Sequence, residues 1–295
     1  VIAGLLESDP NLRVALAAPT GKAAQRLRES IENNLAKFPL KDEVKNRFPH
    51  DAKTIHRLLR PKFPSIQFRR NADRPLGADL VVVDESSMID LPLMAKLFEA
   101  IKPDARILLL GDADQLAPVE AGAPFASIAN YFSKESTQDA FAKLTKVSRF
   151  KEDSSIHQFC RLVQNSQSAD AISFLETGEK TDFRWHQETQ EKHLAAIAAL
   201  VKEGYGGLRQ SNSPEEAMAG FLGFQILCAT NHGPLGVNAL NKWTEKTLGF
   251  EELAQRQKGR YSGLPILIES NDYSLHLFNG DFGVLFSPSG KPADL

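Results

Sequence analysis

Three strand-length apolar runs constrain this chain most: RVALAA (13–18), DLVVVD (79–84) and ARILLLGD (105–112). Each is apolar on consecutive residues and bounded by polar or Gly/Pro punctuation, the pattern of strands buried on both faces. Between them lie the helical stretches KAAQRLRESIENNLAKF and LPLMAKLFEAI. That alternation predicts an α/β domain, a parallel sheet covered by helices. In such a sheet ligands gather beyond the carboxyl ends of the strands, where loops and helix N-termini converge. All three runs end there in residue types suited to chemistry: Pro19-Thr20-Gly21-Lys22, Asp84-Glu85, and Gly111-Asp112 with Gln115.

With 295 residues, 42% of them hydrophobic and 24% charged, the chain is long enough for two medium cores, and two domains are expected. No apolar stretch approaches the roughly 20 residues of a membrane-spanning helix. Residues 1–20 also lack the basic and apolar regions of a secretion signal. Cys160 and Cys228 stand far apart without neighbouring His pairs, which supports neither a disulfide framework nor a zinc site and fits a reducing cytoplasm. The net charge of −2 argues against a generally basic coat. It conceals a local asymmetry, however, since Lys53, Arg57, Arg60, Lys62, Arg69, Arg70 and Arg74 face the single acid Asp73. Taken alone, such a run reads equally as a solvated basic loop or as a binding surface.

Beyond about residue 145 the pattern turns polar and helical, in SSIHQFCRLVQ and KHLAAIAALVKE, followed by a loop rich in Gly, Ser, Asn and Pro at 204–215. FQILCAT (224–230) carries a second sheet signal, and NHGPLGVNALNKWTEKTL reads as a loop and a helix. PILIES, YSLHLF and DFGVLF, joined by Asn-Asp and Asn-Gly, predict short antiparallel strands.

Gly21-Lys22 matches the end of a Walker A loop, G-x-x-x-x-G-K-[ST], whose glycines let backbone N–H groups wrap phosphates. The first glycine position is Leu16, inside a strand, and the hydroxyl position is Ala23, so this stretch is not that loop and no other segment is. LVVVDESSMID has the Walker B layout, in which Asp84 would hold the water shell of Mg²⁺ and Glu85 would deprotonate an attacking water. A strand ending in surface acids is the bland alternative. The third run weighs against it, because LLLGDADQLAPVEAG sets Gly111, Asp112 and Gln115 at a neighbouring strand end. A neutral amide there could sense a terminal phosphate without competing for metal.

APTGKAAQRL, TIHRLL, VVVDESSMID, GDADQLAPVEAG and KVSRF occur in the order of motifs Ia, Ib, II, III and IV of superfamily 1 helicases. The chain most resembles the RecD-type branch, and the likeness extends through LCATNHGPLGVNALN and NDYSLHLFNGDFGV, essentially the whole length. The resemblance implies a first RecA-like domain over 1–145 with a β-hairpin pin at 61–78. It also implies part of a second RecA-like domain over 146–260 and the start of an SH3-like β insertion at 261–295. ATP with Mg²⁺ would bind through Asp84, Glu85, Gly111, Asp112, Gln115 and Arg149, the last approaching the terminal phosphate from the second domain. DNA contacts would come from Pro19, Thr20, Gly21, Lys22, Thr54, His56 and Arg57, and from Arg69 and Arg70 on the pin, with Phe63 or Phe68 stacking on a base.

The implied activity is ATP-dependent 5′–3′ translocation on single-stranded DNA, starting from duplex ends, as one subunit of a repair exonuclease with RecB-like and RecC-like partners. No nuclease constellation of clustered carboxylates with lysine is present in the chain, so any exonuclease activity would belong to a partner. By the same resemblance a Walker A loop would lie upstream of Val1 and motifs V and VI beyond Leu295, and this stretch alone would not turn over ATP. Two alternatives stay open: a free-standing helicase of the same branch, and a non-catalytic scaffold that keeps the fold without the chemistry.

Overall fold

A computed structural model describes residues 2–62, 65, 67–134, 140–145, 151, 153–177, 182–186, 190–251, 259–269, 275, 277 and 281–287, with the backbone alone at 190–193, 209 and 210. The chain divides into two compact units, Val1–Lys151 and Glu152–Leu295.

The first unit runs α1 (Ile2–Ser8), β1 (Val14–Ala18), α2 (Gly21–Lys37), α3 (Asp42–Lys45), β2 (Ala52–Thr54), α4 (Ile55–Leu59), β3 (Leu80–Val83), α5 (Leu91–Glu99), β4 (Arg106–Leu109) and α6 (Pro124–Lys134). Its sheet has the order β2-β1-β3-β4, and every pair is parallel. The three apolar runs are thus strands β1, β3 and β4, but burial on both faces does not hold for β4, which lies at the edge of the order, with Arg106 and Ile107 exposed and Leu108 and Leu109 half-buried. β3 is buried at all four positions and divides its side chains between the two faces. Val81 and Val83 join Ala17, Ile55, Leu59, Met94 and Leu97 on one face. Leu80 and Val82 join Leu16 on the other, with Leu27 and Ile31 of α2. Because the side-chain period of a strand is two, a central strand covered on both sides must be apolar throughout.

From β1 the chain moves outward to β2, then returns past β1 to β3 and continues to β4. Right-handed crossovers in opposite directions put α2 on one face and α4 and α5 on the other. The strand order therefore reverses between β1 and β3, and the loops leaving their carboxyl ends diverge to open a crevice.

The opposite edge is tied by ions. The Arg13 guanidinium forks onto both Asp79 oxygens at 2.9 Å, and Lys102 Nζ adds a third bond at 2.9 Å. Asp79 also receives the Arg13 backbone N–H through its side chain, and its carbonyl accepts the Arg106 N–H, so one residue joins the starts of β1, β3 and β4. The hydrogen bonds from Arg13 and Lys102 hold the Asp79 carboxyl well below the usual carboxylate range. A carboxylate whose pKa is depressed by folding stabilises the fold above the unfolded pKa, about 4, and loses that contribution as pH falls below it. Asp79→Asn is expected to lower the melting temperature at neutral pH. The gap to the parent should narrow on acidification below about pH 4, which melting curves across pH will check; a gap independent of pH would remove the carboxylate from the account.

In the second unit α7 (Ser155–Gln164), α8 (Ser168–Glu176), α9 (Gln190–Tyr205), α10 (Pro214–Gly223) and α11 (Val237–Thr247) precede β5 (Pro265–Leu267) and β6 (Phe282–Val284). β5 and β6 pair antiparallel, as PILIES and DFGVLF predict, whereas most of YSLHLF lies outside the described residues. FQILCAT is a correction: residues 224–230 form no strand and Leu227 is 92% exposed. Phe224 packs edge-on against Tyr205 with ring centroids 5.0 Å apart, and a Cβ on Gly204 would stand 2.3 Å from that ring. Hydrophobicity made the segment a strand candidate, but without a neighbouring strand among the described residues its backbone has no ladder to join.

Candidate functional site

The carboxyl edge of the sheet gathers the residues singled out above. β3 does not stop cleanly at Val83: the Asp84 N–H still donates to the Ala17 carbonyl at 2.9 Å, which fixes the first acid against β1. The Glu85 N–H then donates to Asp84 Oδ1 at 2.9 Å, and Glu85 adopts the left-handed conformation, φ 52° and ψ 39°. For a residue with a Cβ that conformation costs about 1–2 kcal/mol. It reverses the chain within one residue and leaves both acids half-buried at the rim.

The two hydroxyls that follow point inward. Ser86, fully buried, donates through Oγ to the Val83 carbonyl at 3.0 Å and through its N–H to the Leu110 carbonyl at 2.8 Å. Ser87, 8% exposed, donates through Oγ to Gln115 Oε1 at 3.3 Å. Leu110 N–H in turn donates to Val83 at 2.8 Å, so the ends of β1, β3 and β4 are hydrogen-bonded to one another. Beyond β4, Gly111 admits a close approach: a Cβ there would lie 3.0 Å from the Ser87 backbone nitrogen and 3.1 Å from the Phe125 ring. Asp112 shapes the next turn by accepting the Asp114 N–H on its side chain and the Gln115 N–H on its carbonyl. Asp84, Glu85, Gly111, Asp112 and Gln115 are therefore assembled on one edge, with Pro19 to Lys22 at the end of adjacent β1.

Thr20 and Thr54 each cap a helix. Thr20 Oγ1 accepts the Ala23 N–H at 3.2 Å to start α2, and Thr54 Oγ1 accepts the Arg57 N–H at 3.2 Å to start α4. Such caps stabilise a helix by about 1 kcal/mol. Gly21 and Lys22 open α2, where the helix dipole favours an anion, and Lys22 is exposed. His56 is exposed, with its ring 5.8 Å from that of Phe68, and Arg57 is half-buried.

The basic segment forms antiparallel bridges between Pro61 and Phe68 and between Asn71 and Arg74. Phe68 is half-buried and packs on the core beside Ile55 and Leu59, while Phe63 lies outside the described residues. Arg69 is exposed. Arg70 is instead half-buried and donates its guanidinium to the Pro75 carbonyl at 3.1 Å. Among the described residues no carboxylate pairs with Arg60, Lys62, Arg69, Arg70 or Arg74. Arg149 lies outside the described residues. The hydroxyls of Ser86 and Ser87 escaped the sequence reading, although their place directly after the acid pair was the available signal.

Among the described residues no three His, Cys, Asp or Glu side chains could together hold a metal ion. Mg²⁺, however, is usually held by one or two carboxylates plus the oxygens of a nucleotide. Asp84, anchored through its backbone and half-exposed at the rim, fits that share of an octahedral shell. No helix among the described residues is long and apolar enough to cross a membrane.

Comparison with known proteins places the chain in a family. Residues 1–183 match the family described as AAA domain. The chain is 36% identical over 293 residues to the RecBCD enzyme subunit RecD of Mycolicibacterium smegmatis, a match covering 98% of this chain and 51% of that protein. It is 33% identical to the RecBCD enzyme subunit RecD of Haemophilus influenzae, covering 96% of this chain and 52% of that protein. It is also 32% identical to the ATP-dependent RecD2 DNA helicase of Deinococcus radiodurans, covering 98% of this chain and 34% of that protein. The chain spans about half the length of the first RecD proteins it matches. With its parallel sheet, its acid pair at the end of a buried strand and a family match over more than half its length, this chain belongs to the AAA domain family.

Proposed function

We propose that this chain is the motor region of a RecD-type DNA helicase subunit, hydrolysing ATP with Mg²⁺ and moving 5′–3′ along single-stranded DNA. The observation that carries the reading is the acid pair Asp84-Glu85, with Asp84 bonded to Ala17, the flanking Val83 and Ser86 bonded to Leu110, and Gln115 joined to the same turn through Ser87. Asp84 would hold the water shell of Mg²⁺, and Glu85 would take the proton of the water attacking the terminal phosphate. Gln115 would report the nucleotide state to the loop after β4, and Arg149 would add positive charge to the transition state. Pro19 to Lys22 and Thr54 to Arg57 would meet the DNA backbone, with the exposed cations of the hairpin beside them. Residues 1–145 and 146–260 would serve as two RecA-like domains, and 261–295 as a β insertion.

The relatives named as RecBCD enzyme subunits support assembly with RecB-like and RecC-like chains, and that assembly would act on duplex ends, in the cytoplasm, in recombinational repair. The test is the purified full-length protein, alone and with its partners, on a duplex carrying a 5′ single-stranded tail. ATP-dependent unwinding is the expected result. Binding to DNA with neither hydrolysis nor unwinding in either preparation would favour the scaffold instead.

A further inference from the structure

The bond between Ser87 and Gln115 joins a buried partner to an exposed one. Ser87 sits in the turn Ser86–Met88, which is fixed by the Ser86 hydroxyl on Val83, by Ser86 N–H on Leu110 and by Met88 N–H on Glu85. Gln115 is exposed, and its backbone N–H is held by Asp112 alone. Its side-chain amide has one acceptor end and one donor end of nearly equal size. A hydroxyl, which both donates and accepts, can hold the side chain by either end. The Ser87 hydroxyl donates to the acceptor end, Oε1, at 3.3 Å, which leaves the NH₂ end directed away from Ser87. A phosphate oxygen or the lone pair of a water needs that donor, and the flipped amide would offer it a second acceptor.

We propose that Ser87 is a positioning residue that ties the Gln115 side chain to the acid-bearing turn after β3, linking that turn to the loop after β4. Gly111 is part of the device, because its missing Cβ lets the end of β4 lie against the Ser87 backbone. The inference rests on the nucleotide-site reading above and adds to it the residue that holds the sensing side chain against the acid-bearing turn.

The experiment compares Ser87→Ala, Ser87→Thr, Gln115→Ala and the Ser87→Ala/Gln115→Ala pair in the full-length protein, measuring kcat and KM for DNA-stimulated ATP hydrolysis together with melting temperature. Loss of one net hydrogen bond predicts a five- to tenfold lower kcat, roughly, for Ser87→Ala. KM and melting temperature should stay near the parent values, and Ser87→Thr, which keeps the hydroxyl, should restore most of the loss. The double variant should be no slower than Gln115→Ala alone, because both changes remove the same function. A slow Gln115→Ala beside a normal Ser87→Ala, or additive losses in the pair, overturns the positioning role and leaves the nucleotide site standing. Normal hydrolysis by Gln115→Ala overturns the sensing reading and this inference with it.

Discussion

Glu85→Gln in the full-length protein is expected to slow DNA-stimulated ATP turnover by about a thousandfold, the middle of the range for losing a general base. Nucleotide affinity should change little, because the amide keeps the size of the carboxylate and loses only its ability to take a proton. Single-turnover hydrolysis beside equilibrium nucleotide binding separates the two quantities. Retention of near-parental turnover would remove Glu85 from the chemistry. A companion variant uses the backbone. Glu85 stands at φ 52°, where glycine carries no Cβ penalty, so Glu85→Gly should be as inactive as Glu85→Gln yet raise stability by about 1 kcal/mol. Inactivity together with a higher melting temperature would identify the left-handed turn as strain retained for function.

Charge reversal on the hairpin is expected to give the second-largest effect. Arg69 and Arg74 are exposed, and no carboxylate pairs with them among the described residues. Arg69→Glu with Arg74→Glu should weaken single-stranded DNA binding by roughly a hundredfold near 0.1 M salt and flatten the log–log salt slope by about 1.4, two phosphate contacts' worth. Arg70 should behave differently. Its guanidinium is engaged by the Pro75 carbonyl, so Arg70→Ala should loosen the hairpin while changing the salt slope little. Fluorescence anisotropy titrations at several salt concentrations measure both. An unchanged slope in the double reversal would return the basic run to a solvated loop.

Which parts of this molecule could be read from the chain follows from how local the physics is. Continuous apolar runs announced β1, β3 and β4, yet only β3 is buried at every position, as a parallel strand covered on both faces requires, whereas Arg106 and Ile107 of β4 are exposed. The same reading failed at 224–230, where Phe224 is drawn onto Tyr205 and Leu227 faces solvent, since a strand exists only when a neighbour supplies its ladder. The sequence offers Thr20 and Thr54 as DNA contacts, and their duty as helix caps rests on hydrogen bonds that the residue type alone does not reveal.

Motif order by itself determined the family expectation, the acid pair and the lone Gln115, because those residues lie at strand ends whatever the sheet order. Only the tertiary structure decided which strand ends meet. It placed β3 between β1 and β4, turned Glu85 into a left-handed corner, and carried Ser87 across 28 positions of sequence to Gln115. It also divided two adjacent arginines into one tied to Pro75 and one free for an anion. Those outcomes depend on strand neighbours and on the direction of single side chains. Both are settled by long-range hydrogen bonds and packing, which leave no periodic trace in the amino-acid order.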